Sequence, residues 1–212
     1  NLTTIDVDTS GTGFLLEDIK RCDIRNLHIK NSGGSNAVKG GALYIKESDV
    51  TLGGLKISSS ESAHGGALYI VGNSNSGFRS SDTVKVNDVE FDDNKTRGSK
   101  GGTISALNAN LSVDDSQISN SKVINTNSQL ISRGGAINME GGHLHLKNTT
   151  IVSSTSAFVG NSNGRGGHIY LGPDPDRSNN ERASSDDFID NGNHANSDNG
   201  AFGGSIYVEN RT

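Results

Sequence analysis

Four tyrosines recur at one position of a repeated pattern, and such a row of rings could bind sugars or a partner protein. Each lies between two apolar residues, so strand alternation predicts outward side chains on one face, in two pairs with Ser105 and Asn138 between them. Aromatic rings can stack on pyranose rings or on a protein surface. Equally, tyrosine favours exposed strand positions and packs against its cross-strand neighbour. The four are Tyr44, Tyr69, Tyr170 and Tyr207.

Four oxygen-bearing residues near the start have the spacing of a calcium-binding helix-loop-helix loop. They are Asp6, Asp8, Ser10 and Glu17. Gly13 stands where an apolar residue usually anchors that loop, and there is no room for the preceding helix. We therefore interpret this segment as an acidic turn leading into the first strand. No cofactor is predicted, and calcium is the alternative.

The sequence shows no obvious catalytic constellation. His143 and His145 share a strand face, but no third metal ligand is evident. The acidic pairs 92–93 and 114–115 are sequence neighbours, which rarely converge on one substrate atom. Polysaccharide-degrading β-helices need carboxylates and a base in one cleft. We expect a protein that is not an enzyme; a carbohydrate-active enzyme with the long C-terminal loops as cleft walls is the alternative.

The composition argues against several classes of partner and site. The net charge of −5 argues against a nucleic-acid binder, and no apolar run is long enough to span a membrane. One cysteine excludes an internal disulfide and a cysteine-rich zinc site. Sequons for N-glycosylation, which is typical of secreted proteins, are present. They begin at Asn1, Asn94, Asn110, Asn148 and Asn210.

A repeat in the sequence predicts the strands that carry these candidate residues. Six Gly-Gly pairs, each followed by an alternating apolar strand, recur at intervals of about 25–37 residues, a period typical of solenoids. Only 31% of the chain is hydrophobic, which suits a thin, elongated core. The pairs are Gly40–Gly41, Gly65–Gly66, Gly101–Gly102, Gly134–Gly135, Gly166–Gly167 and Gly203–Gly204.

A second signature follows the glycine pairs and consists of two short alternations separated by two corner residues. Its copies begin at Cys22, Val50, Val84, Leu111 and Leu144. The corner residues are rich in Asn, Asp and Gly, which tolerate left-handed backbone angles. Three short strands and three corners then close one turn of a coil.

The predicted fold is all-β: a single-stranded right-handed parallel β-helix of about six turns with long loops at the corners, rising roughly 4.8 Å per turn. Residues 1–212 form one domain, which we expect to be part of a longer array or assembly.

Cys22 is expected to be a buried thiol. Long loops are expected at 121–134, 154–166 and 191–203, with insertions at 71–83 and 172–187. The residues expected to stack inward are Leu43, Leu68, Ile104, Ile137, Ile169 and Ile206, and Ile45, Ile70, Met139, Leu171 and Val208.

The two motifs together resemble the repeats of the chlamydial polymorphic outer-membrane proteins, which are autotransporter-type β-helix passengers, and of similar microbial surface proteins. Gly40–Leu43, Gly65–Leu68 and Gly134–Ile137 match the Gly-Gly-Ala-Leu/Ile motif. Phe91–Asn94 and Phe188–Asn191 match the Phe-x-x-Asn motif. The resemblance implies a secreted or surface-displayed protein used in adhesion or surface structure.

These observations lead to one functional expectation. The chain is predicted to be a non-enzymatic, extracellular or cell-surface β-helix that serves in adhesion or builds a surface assembly or filament. Its expected partners are other protein chains, through the β-helix ends or a lateral face. Glycans are a further expected ligand, and a glycan-binding module is the second alternative. Neither nucleic-acid binding nor a membrane span is expected.

Overall fold

The computed structural model describes residues 2–8, 11–34, 37, 39–73, 83–125, 131–153, 155–158, 164–165, 167–172, 184–186, 201–202 and 206–208. These residues form β-strands and turns, without a helix. None of the described segments is an apolar helix of membrane-spanning length.

Most strands have six residues or fewer, as the period-two alternations predict, whereas four strands of 9–11 residues continue through a corner. They are β1 Thr3–Asp6, β2 Phe14–Glu17, β3 Cys22–Arg25, β4 Leu27–Lys30, β5 Leu43–Lys46, β6 Val50–Ser58, β7 Glu61–His64, β8 Leu68–Val71, β9 Thr83–Asp92, β10 Lys95–Lys100, β11 Ile104–Asp114, β12 Gln117–Ser119, β13 Lys122–Asn125, β14 Ser132–Arg133, β15 Ile137–Lys147, β16 Thr150–Val152, β17 Thr155–Phe158, β18 Gly164–Arg165, β19 Ile169–Gly172, β20 Ser184–Asp186, β21 Ala201–Phe202 and β22 Ile206–Val208.

The strands stack in parallel and build a β-solenoid of about four turns, counting those in which every side carries a described strand. Such a turn comprises β5–β7, β8–β10, β11–β14 or β15–β18. The strands that follow the glycine pairs lie one above another from β2 through β5, β8, β11, β15 and β19 to β22. Their register places the repeat copies side by side, as the sequence predicted.

The predicted corner between the two alternations is confirmed. One residue of each corner adopts a left-handed backbone angle, which lets the chain change direction while the strand hydrogen bonds continue on both sides. These residues are Asn26, Gly54, Asp88, Asp115 and Asn148, with φ between 47° and 58°.

The segments predicted as long loops are in part a second sheet, so that prediction was incomplete. The seven strands β7, β10, β13, β14, β17, β18 and β21 form this parallel sheet, immediately before the glycine pairs. β13 and β14 lie inside the predicted loop 121–134, and β17 and β18 within 154–166. Their polar composition concealed them, because they lack the apolar alternation of the other strands.

The core matches the predicted inward positions. The residues predicted to stack in β5, β8, β11, β15 and β19 are at most 3% exposed. The side chains of Ile206 and Val208 lie outside the description. Cys22 is only partly buried, contrary to expectation. It pairs with Val50 on one side, but its strand β3 belongs to the first described turn and has no described neighbour on its other edge.

A buried polar column accompanies the apolar core at the corner that ends the second alternation. Asn94 is fully buried: its Oδ1 accepts from the Ser60 backbone N–H at 3.0 Å, and its Nδ2 donates to the Ile57 carbonyl at 3.0 Å. Ser60 Oγ in turn lies 2.7 Å from Ser32 Oγ. The Asn of Phe-x-x-Asn therefore satisfies backbone groups at a corner, which buried polar groups require.

Replacing Gly66 by Ala should destabilise the solenoid by about 3 kcal/mol, because backbone atoms cannot yield to the added methyl group. An added Cβ would lie 2.2 Å from the Gly102 carbonyl oxygen and 2.5 Å from that of Lys95. Gly53→Ala is the matched control, since its Cβ meets only the Arg25 side chain, which is 57% exposed and can move. Urea unfolding followed by circular dichroism measures both; equal stabilities would contradict this account.

Candidate functional site

The predicted tyrosine column exists in the register of the strands. Tyr44 pairs with Tyr69, and Tyr170 pairs with Tyr207. Ser105 and Asn138 occupy the same position in the two rungs between them, but they are only 2% and 1% exposed, contrary to the predicted outward placement. We call the outer surface along these strands, together with the residue preceding each glycine pair, the tyrosine face.

The N-terminal half of the tyrosine face carries partly exposed, stacked rings. Tyr44 and Tyr69 lie 5.6 Å apart between ring centroids with planes inclined by 21°. The Lys39 ammonium lies 4.9 Å from the Tyr44 ring centroid. The His64 ring lies 5.5 Å from that of Tyr69. The Tyr44 ring thus lies between the Lys39 cation and the Tyr69 ring, and the Tyr69 ring lies between Tyr44 and the imidazole of His64.

The C-terminal half differs from the prediction, because Tyr170 is not exposed. Only 1% of Tyr170 is accessible, and the Arg133 guanidinium lies 4.9 Å from its ring centroid. Its ring bends over the strand towards Gly172, where a Cβ would lie 2.6 Å from the tyrosine oxygen. The Tyr207 side chain lies outside the description. An accessible aromatic surface is therefore established for Tyr44 and Tyr69.

A buried carboxylate on the tyrosine face binds two of the basic residues that precede glycine pairs. Glu140, which is 3% exposed, accepts from Lys100 Nζ at 2.7 Å and from Arg133 Nη1 at 2.8 Å. Each oxygen has its own cationic donor, an arrangement that compensates for removing the carboxylate from water. The alternative function, a carbohydrate-active enzyme, requires carboxylates and a basic residue to converge in one cleft. Here one acid converges with two bases, whereas glycoside hydrolysis uses a pair of carboxylates.

The sequence interpretation missed the residue that precedes each glycine pair. It is basic in five of the six copies, in a chain whose net charge is −5. The signal in the sequence is a basic residue followed by Gly-Gly, two residues and Tyr, which three of these five copies contain in full. The five are Lys39, His64, Lys100, Arg133 and Arg165.

An open pocket lies at the N-terminal end of the tyrosine face. It has a volume of about 240 Å³ and is lined by Thr12, Leu15, Lys39 and Tyr44. Leu15 occupies the tyrosine position of the first rung and is 62% exposed. The sequence did not single out Leu15, because one leucine in a strand carries no functional signal. The pocket extends the aromatic surface with an apolar floor.

The described residues of the predicted calcium loop do not form a metal site. The Asp6 carboxylate pairs with Lys30 at 2.9 Å, and hydrogen bonds from Lys30 and then Asn31 lower the pKa of Asp6. Glu17 forms an ion pair with Lys46. Asp8 is exposed with a left-handed φ of 53°, and Ser10 lies outside the described residues. Asp6 and Glu17 end strands that pair with different neighbours, β4 and β5. Within the described part of the chain no cluster of three or more His, Cys, Asp or Glu residues could hold a metal ion.

The sequons differ in accessibility. Asn94 is fully buried with both amide atoms bonded, so its side chain cannot carry a glycan in the folded solenoid. Asn148 is exposed at a corner, where its Nδ2 donates to Asp115 at 3.0 Å. Asn110 is partly buried within β11. Asn1 and Asn210 lie outside the described residues.

When the chain is secreted from a host that performs N-glycosylation, we expect glycan at Asn148 and none at Asn94 in the folded product. The physical reason is that a glycan would displace the two buried hydrogen bonds of Asn94. Glycopeptide mass spectrometry measures the occupancy of each site. Asn148→Gln should remove the glycan without unfolding the protein. A folded product with occupied Asn94 would contradict the buried geometry.

Acidification should destabilise the fold through His64. Burial and then the charge of Lys100 lower the pKa of His64, with Lys39 acting in the same direction and Glu140 opposing it. The unfolded chain then binds the proton first, so stability is lost as pH falls below the unfolded pKa of about 6.5. His64→Gln should flatten the decline in urea midpoint between about pH 8 and pH 5.5. His28, whose pKa burial and Lys56 also lower, accounts for a remaining slope. Unchanged slopes would contradict this assignment.

Comparison with known proteins leaves the function to be argued from the site. No protein-family model matches the chain, and no curated protein or solved structure matches it. The arrangement places a stacked pair of partly exposed rings, the Lys39 ammonium beside one of them and an adjoining pocket on one side of the solenoid.

Proposed function

We propose that this protein is a non-enzymatic, extracellular or cell-surface β-solenoid that acts in adhesion through its tyrosine face. The observation that carries the proposal is the stacked pair of partly exposed rings, Tyr44 and Tyr69, with Lys39 beside the first. The resemblance of the repeats to those of the chlamydial polymorphic outer-membrane proteins supports the same function and location. Solenoids commonly use such extended surfaces for binding.

The proposal includes the finer architecture. We propose right-handed winding, because parallel crossovers have that hand in nearly all known sheets. We also propose about six turns, because the glycine pair occurs six times in the sequence. A coil of this length presents a straight lateral surface on the order of 30 Å long at about 4.8 Å per rung. Such a surface suits contact with a polymer or another surface.

We favour binding over catalysis because of the state of Glu140, the acid found buried on the described part of this face. Glu140 accepts hydrogen bonds from two cations, so its oxygens are engaged in holding Lys100 and Arg133 in place. A general acid or base must instead reach a substrate proton. The cluster therefore supports a structural role, in which the acid orients the bases of the tyrosine face.

A second candidate function is a building block of a surface assembly. The observation that favours it is the first described rung, where β2 and β3 pair with later strands on one side only. Leu15, which is 62% exposed, lies in this rung, whereas Leu2, which is 40% exposed, precedes β1, the strand that pairs with β4. An uncovered strand edge can pair with a further strand, either from the same longer chain or from another copy.

The adhesion proposal is tested with the double variant Tyr44→Ala/Tyr69→Ala. Binding to a panel of immobilised neutral and acidic glycans, and to intact cells, should fall about tenfold or more, because two stacking surfaces are removed. Thr51→Ala, a partly buried position on a different side of the coil, is the matched control and should bind as the native protein does. Circular dichroism verifies that both variants retain the β-solenoid.

Full binding by the folded double variant would overturn the proposed role of the tyrosine face.

Electron microscopy of the native protein tests the second candidate function, a building block of a surface assembly. Filaments with a regular axial repeat would favour assembly through the strand edges, whereas discrete particles that bind glycans would favour adhesion.

A further inference from the structure

Asn138 is buried without the hydrogen bonds that usually hold a buried carboxamide. Only 1% of it is exposed, yet its Oδ1 accepts no hydrogen bond from the described residues, and its Nδ2 lies 3.5 Å from Ser105 Oγ. Asn94, by contrast, bonds the backbone through both amide atoms at 3.0 Å. Buried polar atoms without a partner are rare in folded proteins. The hydrogen bonds of Asn138 therefore do not explain its presence at this position.

An ion pair spans the Asn138 position. Asn138 precedes Glu140 by two residues in β15, so strand alternation places both side chains on the same face. Arg133 comes before Asn138 in the chain, and its Nη1 donates to Glu140 Oε1 at 2.8 Å. This ion pair shields the carboxamide from solvent and leaves the second carboxylate oxygen of Glu140 for another donor.

Lys100 supplies that donor from the preceding rung. Its backbone pairs in register with that of Arg133, and its Nζ donates to Glu140 Oε2 at 2.7 Å. The preceding rung carries the small residue Ser105 at the position that Asn138 occupies in its own rung. A lysine side chain that crosses this face to reach Glu140 therefore passes beside Asn138. The cluster brings together a primary amine, a carboxylate and a carboxamide.

These three groups are the components of an amide-forming reaction. A neutral amine is a nucleophile, and the carbon of a carboxamide can accept its attack. A carboxylate in contact with the amine can take its proton and deliver it to the leaving nitrogen. The fold holds the reactants in place, which replaces an improbable encounter between two weakly reactive groups. Asn138 and Glu140 are also shielded from water, which would otherwise compete as the nucleophile.

We infer that Lys100 and Asn138 become joined by an intramolecular isopeptide bond, with Glu140 as the group that transfers the protons. This self-modification goes beyond the proposed adhesion and does not depend on any ligand of the tyrosine face. It also agrees with the position of Glu140, whose Oε2 contacts the proton-bearing Nζ of Lys100.

The reaction balances without an oxidant or another co-reactant. Glu140 takes a proton from the Lys100 ammonium, and the neutral Nζ attacks Cγ of Asn138, where a new C–N bond forms. Glu140 passes that proton to Nδ2 and takes a second proton from the attacking nitrogen. The bond between Cγ and Nδ2 breaks, and ammonia leaves with the second proton as ammonium, which restores the Glu140 carboxylate. Arg133 holds the other carboxylate oxygen throughout.

The bond ties successive turns of the solenoid together. Lys100 ends β10 and Asn138 lies in β15, so the link closes a loop that contains β11, β12, β13 and β14. A covalent link that closes a loop restricts the unfolded chain and so stabilises the folded one. The amide N–H that remains on Nζ can keep its hydrogen bond with Glu140.

The experiment measures the intact mass of the purified full chain by mass spectrometry. The mass should lie about 17 Da below that calculated from the sequence, because one ammonia is lost when the amine displaces Nδ2. Trypsin should fail to cleave after Lys100, whose amine is then acylated. Tandem mass spectrometry of the digest should find one branched peptide that joins the segments around Lys100 and Asn138.

Three variants and a matched control locate the bond. Lys100→Arg keeps a cation for Glu140 but has no amine, and Asn138→Ser removes the carboxamide, so both should have their full calculated masses. Glu140→Gln should leave most of the chain unlinked. Lys56→Arg replaces another lysine that is ion-paired with a glutamate, Glu90 at 2.6 Å, and should still lose the ammonia. Circular dichroism verifies that each variant is folded.

The outcomes decide the inference directly. The full calculated mass for the folded native chain would overturn it. Loss of ammonia from a different asparagine, with normal cleavage after Lys100, would also overturn it, as would persistent loss in the Lys100→Arg variant. Complete linkage in Glu140→Gln would overturn the assigned role of Glu140. A joined peptide that disappears in Lys100→Arg and Asn138→Ser, and persists in Lys56→Arg, would establish the bond.

Discussion

The close approach of backbones at the second glycine of the first three pairs is the constraint on which the rest of the structure depends. A Cβ at Gly41 would lie 2.3 Å from the Gly66 carbonyl oxygen, and one at Gly102 would lie 2.0 Å from that of Gly135. These positions therefore have room for hydrogen but not for a methyl group. The first glycine of each of the first four pairs turns the chain with a left-handed φ, as at Gly65 with +61°. Together they bring the second sheet and the glycine-pair strands into one repeating corner.

That corner also creates the tyrosine face. The residue before each pair ends the second sheet, and the tyrosine position lies in the strand that follows it. Because every turn bends at the same place, the basic and aromatic columns run side by side along the axis. The contacts of Lys39 with Tyr44 and of His64 with Tyr69 repeat this relation in consecutive turns. A packing requirement of the backbone thus determines where the basic and aromatic positions meet.

Polar side chains also stabilise the coil, by bonding backbone groups at its corners and by pairing charges on its outer face. The corner column of Ser60 and Asn94 bonds backbone groups that leave the regular strand ladder. On the outer face, Glu140 holds cations from β10 and β14 together. A thin solenoid has little apolar volume, so satisfying such groups matters as much for its stability as filling its core.

The sequence by itself determined the local features that recur with the period: parallel stacking, the inward positions, the left-handed corners and the register of the tyrosines. It did so because alternation and corner residues are properties of short segments. The tertiary structure alone decided the contacts between different turns. Glu140 meets Lys100 from 40 residues away, and Arg133 covers Tyr170, which lies one rung further along the coil. It also decided that Asn94 is buried and that polar segments form a second sheet. These outcomes depend on which side chains of neighbouring rungs come into contact. The repeat pattern does not specify those contacts.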